Sequence, residues 1–360
     1  MCGLAGVILD ERNRSIDEYS ALQDVFTKLL IANEARGTHA TGCAVVTLDG
    51  IGWAKGAQRA SAFVRSELYK NTLTKDPARV LAFIGHTRWA THGSPTKLDN
   101  NHPIITKTVF GTHNGVISNA EAIFTQTGME RTTEVDSEVI FRLAERCATA
   151  EGFDLEALCR EMGQLTGSMS AALVSKLNRR EILLLKGNNP LHFRRHPGLG
   201  ALAYASDTTY LTTACPFNKG WEMATYPDNT AIAVRCLKEA HDIRTATFSI
   251  AKAAASNWRQ YSSYGEADDD LPVTTIRTPA KEKHVARKTS VWQFDYELGD
   301  YVWIDQHGCK RMDSPTAEEE ATTTPTMLSL PAATTTPAGP PRLVDEINAR
   351  FGILEEEIVH

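Results

Sequence analysis

The chain has 360 residues, of which 42% are hydrophobic, so it is long enough for one large domain or two ordinary domains with a sizeable core. Its formal net charge is −6 and its pI is about 6.0. This balance does not favour a protein that binds nucleic acid directly, because such proteins usually carry a basic patch or have a high pI. No apolar run approaches the length of a membrane span, and the first residues lack the basic start of a secretory signal.

The seven cysteines are scattered along the chain and include no CxxC pair. They are Cys2, Cys43, Cys147, Cys159, Cys215, Cys236 and Cys309. An odd number at irregular spacing argues against both a disulfide framework and a zinc site. A reducing compartment fits this pattern best, which predicts a cytoplasmic protein. Apart from Cys2, we interpret the cysteines as packing residues.

Apolar runs and helical spacing divide the first two thirds of the chain into short elements. Strands are predicted over residues 4–9, 43–48, 51–54, 80–84, 109–110, 170–175, 181–185, 200–205 and 231–234. Helices are predicted over residues 15–35, 61–73, 119–127, 136–147, 154–165 and 247–260. Strands at both ends with helices in the middle favour two stacked sheets with helices outside. Periodicity alone does not separate this arrangement from other α/β or α+β folds.

Local signals refine several of these elements. Ser15 and Glu18 have the spacing of a capping box, which predicts a helix start. Asn119 is expected to cap the next helix with its side chain. The strand over 80–84 is expected to lead into a loop that carries Arg88, and the strand at 109–110 into the tripeptide 113–115. The acidic residues Glu134 and Glu138 are predicted to be solvated.

The last third of the chain has a different composition. Residues 241–312 are predicted to form an accessory extension, with an acidic run over 266–270, a basic run over 277–288 and an aromatic β-hairpin within 291–304. Residues 313–342 are rich in Thr, Pro and Ala and predict a disordered linker. Residues 343–360 carry the apolar stripe of an amphipathic helix, which is either a docking peptide or part of the core, and we favour docking.

Cys2 follows the initiator methionine directly, so removal of Met1 would leave it as the first residue. It would then hold a thiol and a free α-amine, with intrinsic pKa values of about 8.5 and about 7.7–8.0. One residue would therefore supply a nucleophile and its general base. Taken alone, a buried packing cysteine is the more common interpretation.

Three kinds of residue downstream fit attack by this thiolate on a carboxamide. The side chain of Asn114 and the N–H of Gly115 are suitable donors for a tetrahedral oxyanion. Arg88 could bind an α-carboxylate as a bidentate pair, and Asp136 could bind an α-ammonium group. Each of these features alone has a more ordinary interpretation. The pair Asn114-Gly115 alone would be a turn, Arg88 alone would form a surface ion pair, and Asp136 alone would be an N-cap.

Six segments of the chain resemble those of a known family. The segments CGLAG (2–6), HTRWATHG (86–93), HNGVISN (113–119), DSEVI (136–140), GNNPL (187–191) and ASD (205–207) resemble, in order and spacing, class II glutamine amidotransferases of the N-terminal-nucleophile type. The closest likeness is to the glutaminase half of glucosamine-6-phosphate synthase, and it extends over residues 2–238.

The resemblance implies an α+β fold, a four-layer αββα sandwich, over a glutaminase domain of residues 2–240. It implies Cys2 as the nucleophile, with Asn114 and Gly115 as the oxyanion hole. It also implies that glutamine is held by Arg88, Thr91, His92 and Asp136, with Trp89 on the loop that closes over glutamine. The product ammonia would pass to an acceptor, and no cofactor is implied.

The chain departs from the family pattern in two places. His39 and Ala40 replace an acidic residue and a small hydroxyl residue in a stretch that otherwise matches, which puts the local hydrogen bonding of that loop in question. The second departure is larger, because no recognisable synthase half follows the glutaminase-like region. We therefore expect the ammonia acceptor to lie on a separate synthase chain.

Three alternatives remain beside this interpretation. The nucleophile could act on another amide or γ-glutamyl compound, although the pair of Arg88 and Asp136 favours a free α-amino acid. The domain could be a non-catalytic scaffold that binds glutamine or a partner. A metal site is the least favoured, because none of its four candidate histidines pairs at helical ligand spacing: His86, His92, His102 and His113.

Overall fold

The computed structural model describes residues 2–73 and 75–252, together with the backbone of the strands at 291–295, 300–304 and 310–311. The chain divides into two compact units, Met1–Thr278 and Pro279–His360. Within the described residues, no helix is long and apolar enough to cross a membrane. The predicted cytoplasmic location stays a prediction.

The first unit consists mainly of strands, with helices between them. Its strands are β1 (Gly3–Leu9), β2 (Ala40–Thr47), β3 (Ile51–Gly56), β4 (Val80–Arg88), β5 (Ile104–Ile105), β6 (Val109–Ile117), β7 (Ala148–Thr149), β8 (Gly152–Phe153), β9 (Gly167–Ser175), β10 (Glu181–Lys186), β11 (His192–His196), β12 (Ala201–Ala205), β13 (Glu222–Ala224), β14 (Thr230–Leu237) and β15 (Ala240–Thr247). Its helices are α1 (Ile16–Ala32), α2 (Ala60–Phe63), α3 (Glu67–Leu73), α4 (Ala120–Thr127), α5 (Glu138–Glu145), α6 (Leu155–Met162) and α7 (Thr208–Ala214).

Two antiparallel sheets form the centre of this unit. The larger has seven strands in the order β13-β11-β12-β1-β4-β2-β3, so β1 is its central strand. The smaller has six strands in the order β15-β14-β10-β9-β6-β5. Neighbouring strands pair antiparallel throughout both sheets.

Three apolar clusters show how the layers stack. One lies between the sheets and takes residues from β1 and β4 on one side and β9 and β10 on the other. A second packs α1, α2, α3 and α7 on the outer face of the seven-stranded sheet. A third packs α4, α5 and α6 on the outer face of the six-stranded sheet. The predicted four-layer αββα sandwich is therefore confirmed.

The helix start predicted at Ser15 is confirmed in detail. The Ser15 hydroxyl accepts from the Glu18 amide at 3.2 Å, and the Glu18 carboxylate accepts from the Ser15 amide at 2.9 Å. This reciprocal pair satisfies amides that the first helical turn leaves free. The helix then buries Phe26, whose ring stacks on that of Phe83 in β4 at 5.4 Å. The capping box thus starts the helix that covers the central strands.

Two strands extend further than their apolar runs predict. β4 continues to Arg88, because its polar end still pairs with β1 and β2 on both sides. β6 continues to Ile117, so Asn114 and Gly115 lie inside the strand and not after it. In both cases the strand pairing, and not hydrophobicity, sets the end of the element.

Several other element predictions need correction. The helix predicted over 61–73 is two short helices, α2 and α3. Asn119 is the N-cap residue of α4, as predicted, but its side chain makes no capping hydrogen bond; it accepts from Thr166 N at 2.9 Å and donates to Gln164 O at 2.8 Å. The predicted helix over 247–260 starts where β15 ends, and its described part, 247–252, is not helical. In the described part of the first unit, seven strands and α-helices were not predicted from the sequence: β5, β7, β8, β11, β13, β15 and α7.

The region after residue 237 shows where the chain continues. β15 pairs with β14 along its whole length, so the proposed domain boundary at residue 240 falls inside this hairpin. In the second unit, Val291–Asp295 pairs antiparallel with Asp300–Ile304, which confirms the strand pairing of the predicted hairpin. The predicted acidic and basic runs, the linker over 313–342 and the helix over 343–360 lie outside the described residues.

Candidate active site

The position of Cys2 follows from the central strand that it precedes. The amide of Leu4 donates to the Ser206 hydroxyl at 2.8 Å, and the Ser206 amide donates to the Leu4 carbonyl at 3.0 Å. Gly3 has no room for a side chain, because a Cβ there would lie 2.4 Å from Oδ1 of Asn33. Arg36 then donates through Nε to the Cys2 carbonyl at 2.9 Å. The first residues are therefore held tightly enough to aim the thiol.

The thiol lies against the backbone of Trp89, just past the end of β4. The Trp89 amide nitrogen is 3.3 Å from Sγ of Cys2, and the Trp89 carbonyl is 3.5 Å from the same sulfur. Burial raises the pKa of the Cys2 thiol, while the Trp89 amide, the positive amino terminus and Arg88 act in the opposite direction. Because burial dominates, the resting thiol is protonated and needs a base before it attacks.

One cavity of about 450 Å³ opens beside this thiol. Five of the eight residues predicted for the site line it: Cys2, Trp89, Thr91, Asn114 and Gly115. The cavity is also lined by residues to which the sequence analysis assigned no role: Val116, Gly167, Ser168, Asn188, Asn189 and Lys252. Its volume suits a small metabolite, since ligand pockets in proteins typically measure about 300–1,000 Å³.

Asn114 and Gly115 are presented to the cavity by β6. Gly115 has φ +147°, and a Cβ there would lie 1.9 Å from the Ser168 carbonyl, so only glycine fits this position. The Asn114 amide nitrogen lies 3.5 Å from the Ser206 hydroxyl, and the Asn114 carbonyl accepts from Asn189 at 2.8 Å. One N–H of the Asn114 amide is thus oriented by Ser206, while the second remains to act as a donor.

Arg88 lies at the end of β4 with its side chain buried. Its Nη1 donates to Oδ1 of Asn101 at 2.7 Å, and its Nη2 donates to the carbonyls of His92 and, at 2.8 Å, Gly93. Within the described part of the chain, no carboxylate lies within ion-pair distance of this guanidinium. Burial lowers the pKa of Arg88, and Asp136 is among the groups that oppose this effect. The site therefore contains a buried cation without a carboxylate partner in direct contact.

Asp136 and His92 lie together near Arg88, and none of the three lines the cavity itself. Oδ2 of Asp136 accepts from the Ile117 amide at 2.6 Å, and its Oδ1 is 3.8 Å from Nδ1 of His92. The loop that carries Trp89 and Thr91 connects these groups to the cavity. The structure thus brings all eight predicted residues into one region, in two adjoining groups.

The other candidate histidines pack in the interior. His86 and His102 have ring centroids 4.1 Å apart, and burial lowers the pKa of His86 to about 3. His86 bonds through Nε2 to the His113 carbonyl at 2.9 Å, and His113 bonds through Nδ1 to the Ser137 hydroxyl at 2.8 Å. His86 and His113 are thus buried rings with hydrogen-bond partners, whereas neither ring nitrogen of His102 has such a partner among the described residues.

Glu138 does not match its sequence prediction. Its carboxylate is fully buried, accepts from the amides of Thr132 and Thr133 at 3.0 and 2.7 Å, and pairs with Arg142 at 3.0 Å. Glu134 is exposed, as predicted. The difference arises because residues 132–133 fold back over the start of α5, which the local sequence does not reveal.

Four supporting residues received no individual role from sequence reasoning: Arg36, Asn189, Ser206 and Lys252. Arg36, Asn189 and Ser206 lie in stretches that match the family resemblance, so motif position was the available signal. Lys252 had no such signal. It reaches the cavity because Ala251 forms a bridge with Thr166 and accepts from the Gly167 amide at 2.7 Å. Among the cysteines in the described residues, Cys43, Cys147, Cys215 and Cys236 are buried and Cys159 is half-buried, as expected of packing residues.

Comparisons with known proteins support the same class. The isomerizing glutamine–fructose-6-phosphate aminotransferase of Helicobacter pylori J99 is 31% identical over 194 residues, covering 53% of this chain and 30% of that protein. The corresponding protein of Halalkalibacterium halodurans is 32% identical over 210 residues, covering 56% of this chain and 32% of that protein. The chain therefore spans about a third of the length of these relatives. No protein-family model matches.

A solved structure supports the fold. It is described as the allosteric regulatory enzyme of purine biosynthesis and aligns with TM-score 0.51 and 18% identity, covering 69% of this chain and 49% of that chain. An αββα sandwich with a cysteine at the start of its central strand, beside an amide donor, is the arrangement that the resemblance to N-terminal-nucleophile amidotransferases predicts. The similarity to the aminotransferases and the fold are both consistent with a class II glutamine amidotransferase domain.

Proposed function

We propose that this domain hydrolyses glutamine to glutamate and ammonia through a covalent thioester on Cys2, and that the ammonia passes to an acceptor on a partner synthase. The proposal rests on one observation: Cys2, Asn114 and Gly115 all line the same cavity. Nucleophile and oxyanion donors in one small cavity are the parts that acyl transfer requires.

The reaction begins with the Cys2 thiol. After removal of Met1, the thiol proton passes through a water to the α-amine of Cys2, and Sγ forms a bond to the carboxamide carbon of glutamine. The carbonyl electrons move to oxygen, and the resulting oxyanion accepts from the Asn114 side chain and the Gly115 amide. Because burial raises the thiol pKa, this transfer to the amine is what makes the sulfur nucleophilic.

Breakdown of the intermediate uses the same groups in reverse. The C–N bond breaks, the leaving nitrogen takes the proton from the Cys2 ammonium, and ammonia departs from a γ-glutamyl thioester. A water then gives a proton to the Cys2 amine and attacks the thioester carbon. When this second intermediate collapses, the sulfur leaves and recovers a proton, and glutamate is released.

Substrate binding is assigned to the second group of residues. Arg88 would hold the α-carboxylate of glutamine, and Asp136 with His92 would hold its α-ammonium group. The buried Arg88 guanidinium without a carboxylate in direct contact supports this assignment, because burying an unpaired charge is costly unless a ligand completes it. Thr91 and Trp89 would contact the bound substrate from the connecting loop, and the exposed Trp89 ring would cover it.

The acceptor is the least constrained part of the proposal. The relatives are named for transfer to fructose 6-phosphate, and the chain matches about a third of their length. We place the acceptor on a separate synthase chain, with residues beyond 252 as its docking region. Comparing recovery of a candidate synthase by the full chain and by a chain ending at residue 252 tests this idea. Equal recovery would contradict it, and this end point keeps β15 intact.

One assay tests the glutaminase proposal against its alternatives. Glutamate release is measured with the Met1-free chain, with Cys2→Ala, and with Cys159→Ala as a matched cysteine control on α6. We expect release that Cys2→Ala abolishes and Cys159→Ala preserves. Release from other γ-glutamyl amides but not from glutamine would favour the alternative hydrolase. Binding of glutamine with no release from any substrate, with candidate synthases present, would favour the scaffold.

A further inference from the structure

We propose, on the basis of the glutaminase reaction above, that His39 is a positioning residue: its imidazole holds the Trp89–Ala90 backbone against the nucleophile. His39 is one of the two residues at which the chain departs from the family pattern. It lies between α1 and β2, distant from Cys2 in the sequence, and it contacts the end of β4 and the loop that follows.

Three contacts join His39 to consecutive residues of the loop after β4. Its own amide donates to the Arg88 carbonyl at 3.0 Å. Its ring stacks on the Trp89 ring, with centroids 4.5 Å apart and planes inclined by 29°. Its Nδ1 accepts from the Ala90 amide at 3.0 Å. His39 thus contacts three consecutive residues of this loop, through the Arg88 carbonyl, the Trp89 ring and the Ala90 amide.

The hydrogen bond to Ala90 fixes the backbone next to the group that contacts the nucleophile. The amide of Trp89, one residue before Ala90, is the group 3.3 Å from Sγ of Cys2. The segment that carries His39 also fixes Cys2 from the other side, because Arg36 donates to the Cys2 carbonyl. Gly37 packs so closely on this loop that a Cβ there would lie 2.7 Å from the Trp89 nitrogen. Residues 36–39 therefore contact both Cys2 and the Trp89 backbone, the two partners in the contact at Sγ.

Only the neutral imidazole can perform this role. Nδ1 accepts a hydrogen bond from Ala90, so a proton on Nδ1 would place two donors against each other. The charged groups that act on His39 are Arg88, at the end of β4, and, as long as Met1 is present, its amino terminus, and both are positive. Burial, reinforced by these charges, holds the pKa of His39 below its ordinary value of 6.5. At neutral pH the ring is neutral and the contact is complete.

Acidification should therefore weaken the loop in a specific way. The α-amine that serves as base protonates below about pH 7.7–8.0, which gives log(kcat/KM) an acid limb of slope one. Protonation of His39 below 6.5 removes the contact with Ala90 and lowers log(kcat/KM) by about one further unit, the loss expected for one hydrogen bond, so the limb is steeper than slope one over that range. A side chain that accepts from Ala90 but does not titrate should keep the slope at one.

The experiment compares His39→Asn and His39→Leu in the Met1-free full chain. The Asn amide oxygen replaces Nδ1 as acceptor and does not protonate, whereas Leu offers none. We expect His39→Leu to lower kcat/KM by about tenfold, as for one lost hydrogen bond, and His39→Asn to stay within about threefold of wild type. The wild type should show this additional drop of about tenfold, with a slope above one below pH 6.5, and His39→Asn a slope of one throughout. Equal loss in both variants, or equal slopes in wild type and His39→Asn, would overturn the assignment.

His196 provides a matched control. Its Nδ1 accepts from the Leu199 amide at 3.0 Å, and its ring lies edge-on to that of Trp221 at 5.3 Å, on β11 and away from the site. His196→Leu should leave kcat/KM unchanged in the folded fraction. If it lowers kcat/KM as much as His39→Leu does, a general structural role for such histidines explains both, and the positioning role is overturned.

A second readout separates failure of this inference from failure of the proposed function. Protonated histidine quenches a stacked indole, so the Trp89 fluorescence, obtained as wild type minus Trp89→Phe, should titrate with a midpoint below pH 6.5. The same difference signal should be flat when both proteins also carry His39→Asn. If the wild type releases no glutamate but this titration is present, the glutaminase proposal fails and the His39 contact stands. A flat wild-type signal overturns the contact itself.

Discussion

The amide nitrogen of Trp89 lies 3.3 Å from the sulfur of Cys2, although the two residues are 87 positions apart in the chain. This contact exists because β1 and β4 are neighbours in the seven-stranded sheet, so the start of one strand meets the end of the other. A backbone N–H aimed at sulfur stabilises a thiolate, while burial of the same sulfur opposes it. Several expected outcomes follow from this balance and from the contacts around it.

The alkylation rate of Cys2 should report the raised pKa of its thiol. Because burial raises this pKa above its ordinary value of 9.0, the thiolate fraction is small at neutral pH and keeps growing above pH 9. We expect the rate of iodoacetamide labelling, measured on the Cys2 peptide by mass spectrometry, to rise through pH 9 without a plateau. Arg88→Met should lower labelling further at each pH. A plateau at or below pH 8 would contradict the expectation.

Asn114→Ala should reduce kcat by about 10²–10³-fold with little change in KM, because it removes a donor that acts mainly on the oxyanion. The measurement is steady-state glutamate release by the Met1-free chain. Asn71→Ala, an exposed substitution on α3, is the control and should leave both constants unchanged. A change confined to KM would place Asn114 in substrate binding instead.

Arg88→Lys should raise the KM for glutamine by about 10- to 100-fold while affecting kcat less. Lysine keeps the charge but cannot form the bidentate pair with a carboxylate, and it also loses the planar contacts to Asn101 and the loop carbonyls. Arg65→Lys, at an exposed position, is the matched control. An unchanged KM for Arg88→Lys would rule out a direct contact between Arg88 and the substrate carboxylate.

Glu138→Ala should lower the free energy of unfolding by about 3–5 kcal/mol, because it leaves Arg142 and two backbone amides without their buried acceptor. Urea denaturation of the full chain measures the change. Glu134→Ala removes an exposed carboxylate two residues before Asp136 and should change stability little. Similar effects from the two substitutions would show that the Glu138 contacts are not formed in solution.

The buried Lys55 should make stability depend on pH above neutrality. Its Nζ donates to the carbonyls of Asn101 and Pro103 at 2.9 and 3.1 Å, and burial lowers its pKa to about 8 from an ordinary 10.5. Between these values the unfolded chain binds the additional proton, so stability rises with pH, and the cost of burying the charge is fully present below pH 8. Relative to Lys55→Met, the wild type should therefore gain up to about 3 kcal/mol between pH 7 and 10.5.

Urea denaturation at several pH values measures this difference. The exposed Lys28→Met serves as control and should follow the wild type at every pH. A difference between wild type and Lys55→Met that stays constant with pH would mean that the lysine has an ordinary pKa in the folded chain. Since Asn101 also holds Arg88, the KM of Lys55→Met for glutamine tests whether this loop contributes to substrate binding.

Local sequence signals predicted the parts of the fold that local physics controls. The capping box at Ser15 formed as expected because both of its partners lie within one turn of helix. The ends of β4 and β6 were not predicted, because the residues that directly follow their apolar runs are polar or glycine and are held as strands by pairing with neighbours. Glu138 was misjudged for a related reason, since its amide partners come from a loop that folds back onto α5.

The sequence by itself determined the chemistry that the domain offers. A cysteine after Met1, an arginine, an Asn-Gly pair and an aspartate, in that order, were sufficient to indicate an amide-hydrolysing nucleophile with an amino-acid substrate. Only the tertiary structure decided how these groups are held. Packing of the two sheets brought Ser206 to Asn114. Packing of α5 on the six-stranded sheet brought Asp136 to Ile117, and pairing of β2 with β4 brought His39 to the loop beside Cys2. Such contacts join residues distant in the chain, and they arise from strand order and burial, which residue spacing does not encode.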